Sequence, residues 1–304
     1  PRLSCHLVSR ACGASLDGNN HYAQDSTACP GERLHLYLHI PYCAAKCPYC
    51  DFNSIAGRHD EHAAYVDALL SEVRRLPSGP YDTLFIGGGT PTLLAPALLE
   101  RLLVGLRAHV HLADGYEWTC EANPGTEFYA KLARGEVGEI APERSRALFA
   151  LIHERLAGLG LRAYETSNFA RPGDESRHNL AYWQARDYHA AGAGAVSSLD
   201  RVRVTREKHP AAYISAINAG GDAAWKREAI GDRELLREAW MLGLRLAEGV
   251  AETRLDALGD HQSRWAARAA ALVQEGLIER RDGRISLTPA GRPVQDDVTI
   301  YLMP

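Results

Sequence analysis

The sequence predicts an α/β protein whose strands alternate with helices to form a parallel sheet, followed by a small winged-helix-like module. Three observations carry that reading. Apolar spacing switches between a period of two and a period of 3.6 from residue 34 onward. Three cysteines crowd into PYCAAKCPYCDF, residues 41–52, at the end of the first strand pattern. From about Asp232 the pattern changes to helices and a tight hairpin.

LHLYLHI (34–40) alternates as a strand and runs directly into the cysteine loop. DEHAAYVDALLSEVRRL then lays Tyr65, Val66, Leu69, Leu70, Val73 and Leu76 on one helical face. A second unit repeats the rhythm: strand DTLFI, turn GGGTPT, and helix APALLERLLVGLRAHV. YEWTCEANP is a third strand. This order implies right-handed crossovers and a site at the carboxyl ends of the strands.

Residues 127–160 read as mostly helical, with PERSRALFALIHERLAGLGL clearest, and LRAYETSN as a further strand. A loop rich in Arg, His and Asn follows. Beyond it come two helices, the RRDGRISL hairpin with Asp282-Gly283 at a type I′ turn, and a helix begun by Thr288 and Pro289. The expected divisions are a loose extension over 1–33, a region over 34–126 that carries the cysteine loop, a distinct region over 127–231 and the winged-helix-like module over 232–304. Arg280, Arg281 and Arg284 on the hairpin are read as packing residues rather than phosphate contacts, given the acidic chain.

The chain has 304 residues, 46% hydrophobic and 24% charged, with a formal charge of −4. Nothing there draws it to nucleic acid or anionic membrane, and no run approaches the ~20 apolar residues of a span. Seven cysteines, three of them bunched, suit a reducing compartment and a metal site better than a disulfide framework. The expected location is the cytoplasm. The first sixteen residues carry two Arg and no acid, a faint targeting composition with no long amphipathic face.

Cys43, Cys47 and Cys50 would bring three thiolates to one point. Structural zinc takes four protein ligands, and catalytic zinc relies mainly on His and carboxylates. An iron-sulfur cube held by three thiolates leaves one iron open to a small chelating molecule. Spacing alone leaves the cluster, zinc and coincidence all standing.

YLHIPYCAAKCPYCDFNS resembles the opening of radical S-adenosylmethionine (SAM) proteins, with Tyr49 at the aromatic position before the third cysteine. LFIGGGTPTLL, EANPGT, YETSNFARPG, RHNLAYW and LTPAGRPVQDDVTIYL resemble the oxygen-independent coproporphyrinogen III oxidase group, and within it the heme chaperone branch, HemW. The resemblance implies an incomplete (β/α)6-type partial barrel ahead of the winged-helix-like module. It also implies a [4Fe-4S] cluster on Cys43, Cys47 and Cys50 whose fourth iron SAM chelates. An electron donor to that cluster is implied, with cleavage of SAM to methionine and a 5′-deoxyadenosyl radical. Tyr37, the Gly88-Gly89-Thr90 turn and Glu121 are implied SAM contacts, and His178 of H-N-x-x-Y-W an implied heme contact beside Tyr182 and Trp183. The bland readings are a strand aromatic, a plain turn, a solvated acid and a loop tied by hydrogen bonds. Phe52 stands where the oxidases carry another cysteine, which favours a heme-binding chaperone serving acceptor proteins. The oxidase and a degenerate relative remain the alternatives.

Two departures qualify the resemblance. Val196 in GAGAVSS stands where the family has His. At Pro124-Gly125-Thr126, one PGT motif runs directly into what resembles a second, as though three βα units, about ninety residues, were missing between them. With them would go polar residues that hold the ribose and adenine side of SAM. Three parallel strands would remain, with an open edge.

Overall fold

The computed structural model describes residues 34–46, 50–122, 134–135, 141–260 and 262–304. The expectations for the extension over 1–33, for Cys47 and Tyr49, and for the Pro124–Thr126 junction lie outside those residues. The chain forms two units: Pro1–Gly138 with Asp187–Ala229, and Glu139–Arg186 with Ile230–Pro304.

In the first unit, β1 (Leu34–Ile40) turns Leu36, Leu38 and Ile40 to the core and His35, Tyr37 and His39 to the other face, as the period of two requires. Against those apolar residues lies α1 (His62–Val73), with Tyr65, Val66 and Leu69 fully buried. Each such aliphatic side chain contributes about 1.5–3 kcal/mol by burial. β4 (Tyr81–Gly88) runs parallel to β1, α2 (Pro96–Arg107) buries Leu102 and Leu106, and β5 (Leu112–Cys120) pairs parallel with β4. Two short strands, β2 (Tyr42–Cys43) and β3 (Ile55–Ala56), pair across the base of the cysteine loop.

The expected three-stranded remnant is corrected to a four-stranded sheet. β6 (His189–Ala191) lies parallel to β1, with Leu36 opposite His189 and Leu38 opposite Ala191. Its three residues, all buried, are too short to show alternation in sequence. A buried ionic network secures the turn after it. Glu72 of α1 accepts from Arg206 Nε at 2.8 Å, from the Gly192 N–H at 2.9 Å and from the Tyr213 hydroxyl at 2.7 Å. An antiparallel sheet of β7 (Val196–Leu199), β8 (Val202–Arg206) and β9 (Ala224–Ala229) follows, and α3 (Pro210–Asn218) buries Tyr213 and Ile217 in the core.

In the second unit the helix Pro142–Gly158 forms as its pattern predicts. The strand expected over LRAYETSN shrinks to Arg162–Ala163, because Glu165 accepts from the Ser167 N–H at 2.8 Å and Asn168 Nδ2 at 2.7 Å, folding the chain into a turn. The expected loop after it contains a helix, Arg177–Trp183, capped by the Ser176 hydroxyl. Beyond Asp232 there are helices at Asp232–Gly243, Glu252–Ala257 and Gln262–Gln274, where two were expected. The wing pairs Ile278–Arg281 with Arg284–Leu287 through Asp282 (φ 52°) and Gly283 (φ 71°), as a type I′ turn demands. The last helix begins at Gln295 rather than at Thr288, whose hydroxyl accepts from the Gly291 N–H and closes a turn instead. Trp240 and Trp265 anchor this core edge to face, 5.9 Å apart. Arg280 pairs with Glu252 and lies over Trp265, and Arg284 donates to the Glu248 and Gly249 carbonyls, so both serve packing.

Candidate cluster and cofactor site

Parallel strands deliver their carboxyl ends to one side of a sheet. β1 therefore ends beside the glycine turn that follows β4, and that turn lies beside Glu121 at the end of β5. The Gly89 N–H donates to the Ile40 carbonyl and the Thr90 N–H to the Tyr42 carbonyl, both at 2.7 Å, which fastens the glycine turn to the start of the cysteine loop. The Thr90 hydroxyl donates to Cys43 Sγ at 3.7 Å. The Glu121 carboxylate accepts from the Gly88 N–H at 2.9 Å. Gly88 has φ 111°, and a Cβ there would meet the His39 ring at 2.4 Å, so the turn needs glycine on both counts.

Tyr37, on the face of β1 opposite the core, has its ring 5.9 Å from Phe85, and its hydroxyl lies 2.9 Å from His39 Nδ1. Burial, then the Glu121 charge, pushes the Tyr37 hydroxyl well above its ordinary range. Burial lowers the pKa of His39, and its hydrogen bond to the Asn53 carbonyl opposes that. Cys43 and Cys50 are half-buried and in no disulfide, and Cys50 Sγ lies 3.9 Å from the Ser54 hydroxyl. Lys46 folds back onto the Ser54 carbonyl at 3.3 Å, closing the loop on itself.

Tyr37, Cys43, Gly88, Gly89, Thr90 and Glu121 are thus gathered at one end of the sheet, while Cys47 and Tyr49 fall outside the described residues. Two available thiols and a hydroxyl donating to one of them suit a thiolate-bound cluster. His39 and Asn53 were not singled out in the sequence. His39 could have been found, since alternation places it on the face of Tyr37. Asn53 could not, because its side chain bonds residues 140 and 155 positions away.

His178 belongs to the second unit. It is 1% exposed, with its ring edge-on to Tyr182 at 4.8 Å. Asn179 donates to the Tyr164 hydroxyl at 3.3 Å, and the Arg245 guanidinium covers the Trp183 ring at 4.3 Å.

The first class this defines is that of the radical SAM proteins: the model of the Radical SAM superfamily matches residues 37–141, across β1 to β5 and the cysteine loop. The HemN C-terminal domain matches residues 231–294. These two matches and the relatives below support a place for the chain in the HemN-like/HemW group of that superfamily. It is similar to the heme chaperone HemW of Mycobacterium tuberculosis, at 25% identity over 90% of this chain and 96% of that protein. To HemW of Escherichia coli it is 29% identical, over 60% of this chain and 75% of that one. Its fold is similar to that of the Escherichia coli coproporphyrinogen III oxidase HemN, a radical SAM enzyme, with a TM-score of 0.66 and 19% identity, covering 90% and 91% of the two chains.

The comparison with the Mycobacterium tuberculosis protein runs over 381 residues, of which 90% of this chain supplies about 274. The difference, about 107 positions, has no counterpart here. The Escherichia coli comparison gives nearly the same difference, 285 positions against about 182 residues. That accords with a missing segment of about three βα units.

Proposed function

We propose that this chain is a heme chaperone bearing a SAM-linked [4Fe-4S] cluster, which binds heme and passes it to acceptor proteins. The observation that carries the cofactor reading is the convergence of Cys43, Thr90, the Gly88 turn, Glu121 and Tyr37 at the carboxyl ends of β1, β4 and β5. Cys43, Cys47 and Cys50 would hold the cluster, which when bound would supply one-electron chemistry to SAM. The chain's own groups do the rest. Thr90 donates to the Cys43 sulfur, and Glu121 and Tyr37 put acceptors and negative charge where a cationic, amine-bearing ligand would sit.

Phe52, 66% exposed beside the cluster loop, supports the chaperone over the oxidase, because it offers no thiol where the oxidases carry one. The HemW names of the relatives support the same choice. The proposed site of action is the cytoplasm, and among the described residues no helix is long and apolar enough to cross a membrane. His178 is the proposed heme ligand, and since it is buried under Tyr182, heme contact requires the short helix Arg177–Trp183 to open.

Visible titration of the reconstituted protein with heme tests this. The expected result is saturable binding that His178→Ala removes, with no cleavage of SAM stimulated by coproporphyrinogen III. Substrate-stimulated cleavage, or heme binding indifferent to His178→Ala, would overturn it.

A further inference from the structure

We propose that His39 and Asn53 are a positioning pair that holds the Tyr37 hydroxyl and the glycine turn in register with the closing end of the cysteine loop. The inference rests on the cofactor reading above and assigns roles to two residues that reading does not use.

The hydrogen bonds fix the protonation pattern. His39 Nε2 lies 2.8 Å from the Asn53 carbonyl oxygen, which can only accept, so Nε2 carries the proton. Burial keeps the ring neutral, so Nδ1 is the acceptor, and the Tyr37 hydroxyl 2.9 Å away donates to it. Tyr37 is thereby oriented, its proton committed to His39. With that proton committed, the Tyr37 oxygen is left only as an acceptor, open to a donor such as an amine.

Asn53 anchors the other end. It follows Cys50 by three residues, and its amide donates to the Ala193 carbonyl at 3.0 Å and the Lys208 carbonyl at 2.9 Å. The fit around it is close: a Cβ on Gly194 (φ 78°) would fall 2.2 Å from Asn53 Nδ2. The His39 carbonyl accepts from the Tyr65 hydroxyl at 2.7 Å, and the Tyr65 hydroxyl oxygen in turn accepts from the Ala193 N–H at 2.9 Å. His39 is therefore held from the cysteine loop through Nε2 and from α1 through its backbone, while its ring forms the wall against which Gly88 packs. A shift of the loop exit would pass through Asn53 and His39 to both Tyr37 and Gly88. No local sequence signal announces this chain of contacts, because it joins residues from stretches far apart in the chain.

The test has two arms. In the cluster-free full-length chain, long-range proton–nitrogen NMR of the imidazoles reads the tautomers, and the His39 signals are identified as those lost in His39→Gln. The expected pattern is Nε2–H, persisting to a pH well below the ordinary imidazole pKa. A Nδ1–H pattern, or ordinary titration, overturns the proposal whatever the cofactor does. In the reconstituted protein, SAM affinity is read from the SAM-induced change in the cluster's EPR signal for wild type, Tyr37→Phe, His39→Gln and the double variant. Each single change is expected to weaken SAM binding about three- to tenfold, and the double variant no more than the worse single one. Asn53→Ala should weaken it similarly while leaving iron content intact. Fully additive losses, or an Asn53→Ala protein that binds SAM as wild type does, would overturn the pairing. Absence of any SAM response in the wild type would instead refute the cofactor reading, and the NMR arm would then decide the positioning claim alone.

Discussion

Replacing Glu72 by Ala should unfold the first unit well before wild type. The Glu72 and Arg206 side chains are 4% and 2% exposed, so neither charge has water to fall back on. The substitution takes from the Arg206 guanidinium the carboxylate its Nε donates to, while the Ser197 hydroxyl at 2.9 Å and the Val204 carbonyl at 3.2 Å stay among its partners. It also strips the acceptor from the Gly192 N–H and the Tyr213 hydroxyl. Breaking one side of such a buried pair costs about 3–5 kcal/mol. In a unit of this size 1 kcal/mol moves the melting temperature by about 2–4 °C, so a drop of about 6–20 °C is expected. Circular dichroism melts of the apo chain measure it. Because the damage is a buried ion pair broken on one side, Glu72→Leu with Arg206→Met should melt above Glu72→Ala, the orphaned Gly192 N–H limiting recovery by about 1–3 kcal/mol. A Glu72→Ala protein melting within about 2 °C of wild type would refute the reasoning, as would a double variant no more stable than the single one.

Cys43→Ser and Cys50→Ser should each abolish retention of iron and sulfide after anaerobic reconstitution, whereas Cys120→Ser, an exposed thiol beyond the loop, should not; iron and sulfide per chain decide it. Gly88→Ala should keep the iron but lose the response to SAM, since its Cβ collides with the His39 ring and its left-handed backbone adds about 1–3 kcal/mol of strain; loss of iron as well would tie the turn to cluster assembly instead. Acid should weaken the first unit through His189, whose pKa burial, then the Arg206 charge, pushes down to about 4. The unfolded imidazole takes its proton near pH 6.5, so this contribution is fully present above that pH and is lost as the pH falls from there towards 4, about 3 kcal/mol in all. Melts between pH 7 and pH 4 should show a shallower decline in His189→Leu; an unchanged slope would place the acid sensitivity elsewhere.

β1, α1, β4 and α2 were legible because each is long enough to show its period, and because glycine turns punctuate them, whereas β5 begins at Leu112, ahead of the expected YEWTCEANP. The wing was legible from Asp282-Gly283 alone. What escaped was short or long-range. His189–Ala191 has three residues, and its place beside β1 depends on Glu72, more than a hundred positions away. The strand expected at LRAYETSN failed because the Glu165 side chain offers the backbone a better partner than a neighbouring strand does. In the site, Tyr37, Gly88 and Glu121 stood out by resemblance, whereas Asn53 has no local pattern and shows itself only through its two distant carbonyl partners.

Low-temperature EPR of the anaerobically reconstituted, reduced chain, with and without SAM, tests the central claim most directly. The account predicts a [4Fe-4S] signal that changes when SAM is added, because the cysteine loop, the Gly88 turn and Glu121 are held together by contacts within the described sheet. A cluster signal indifferent to SAM, or no cluster signal at all, would contradict it.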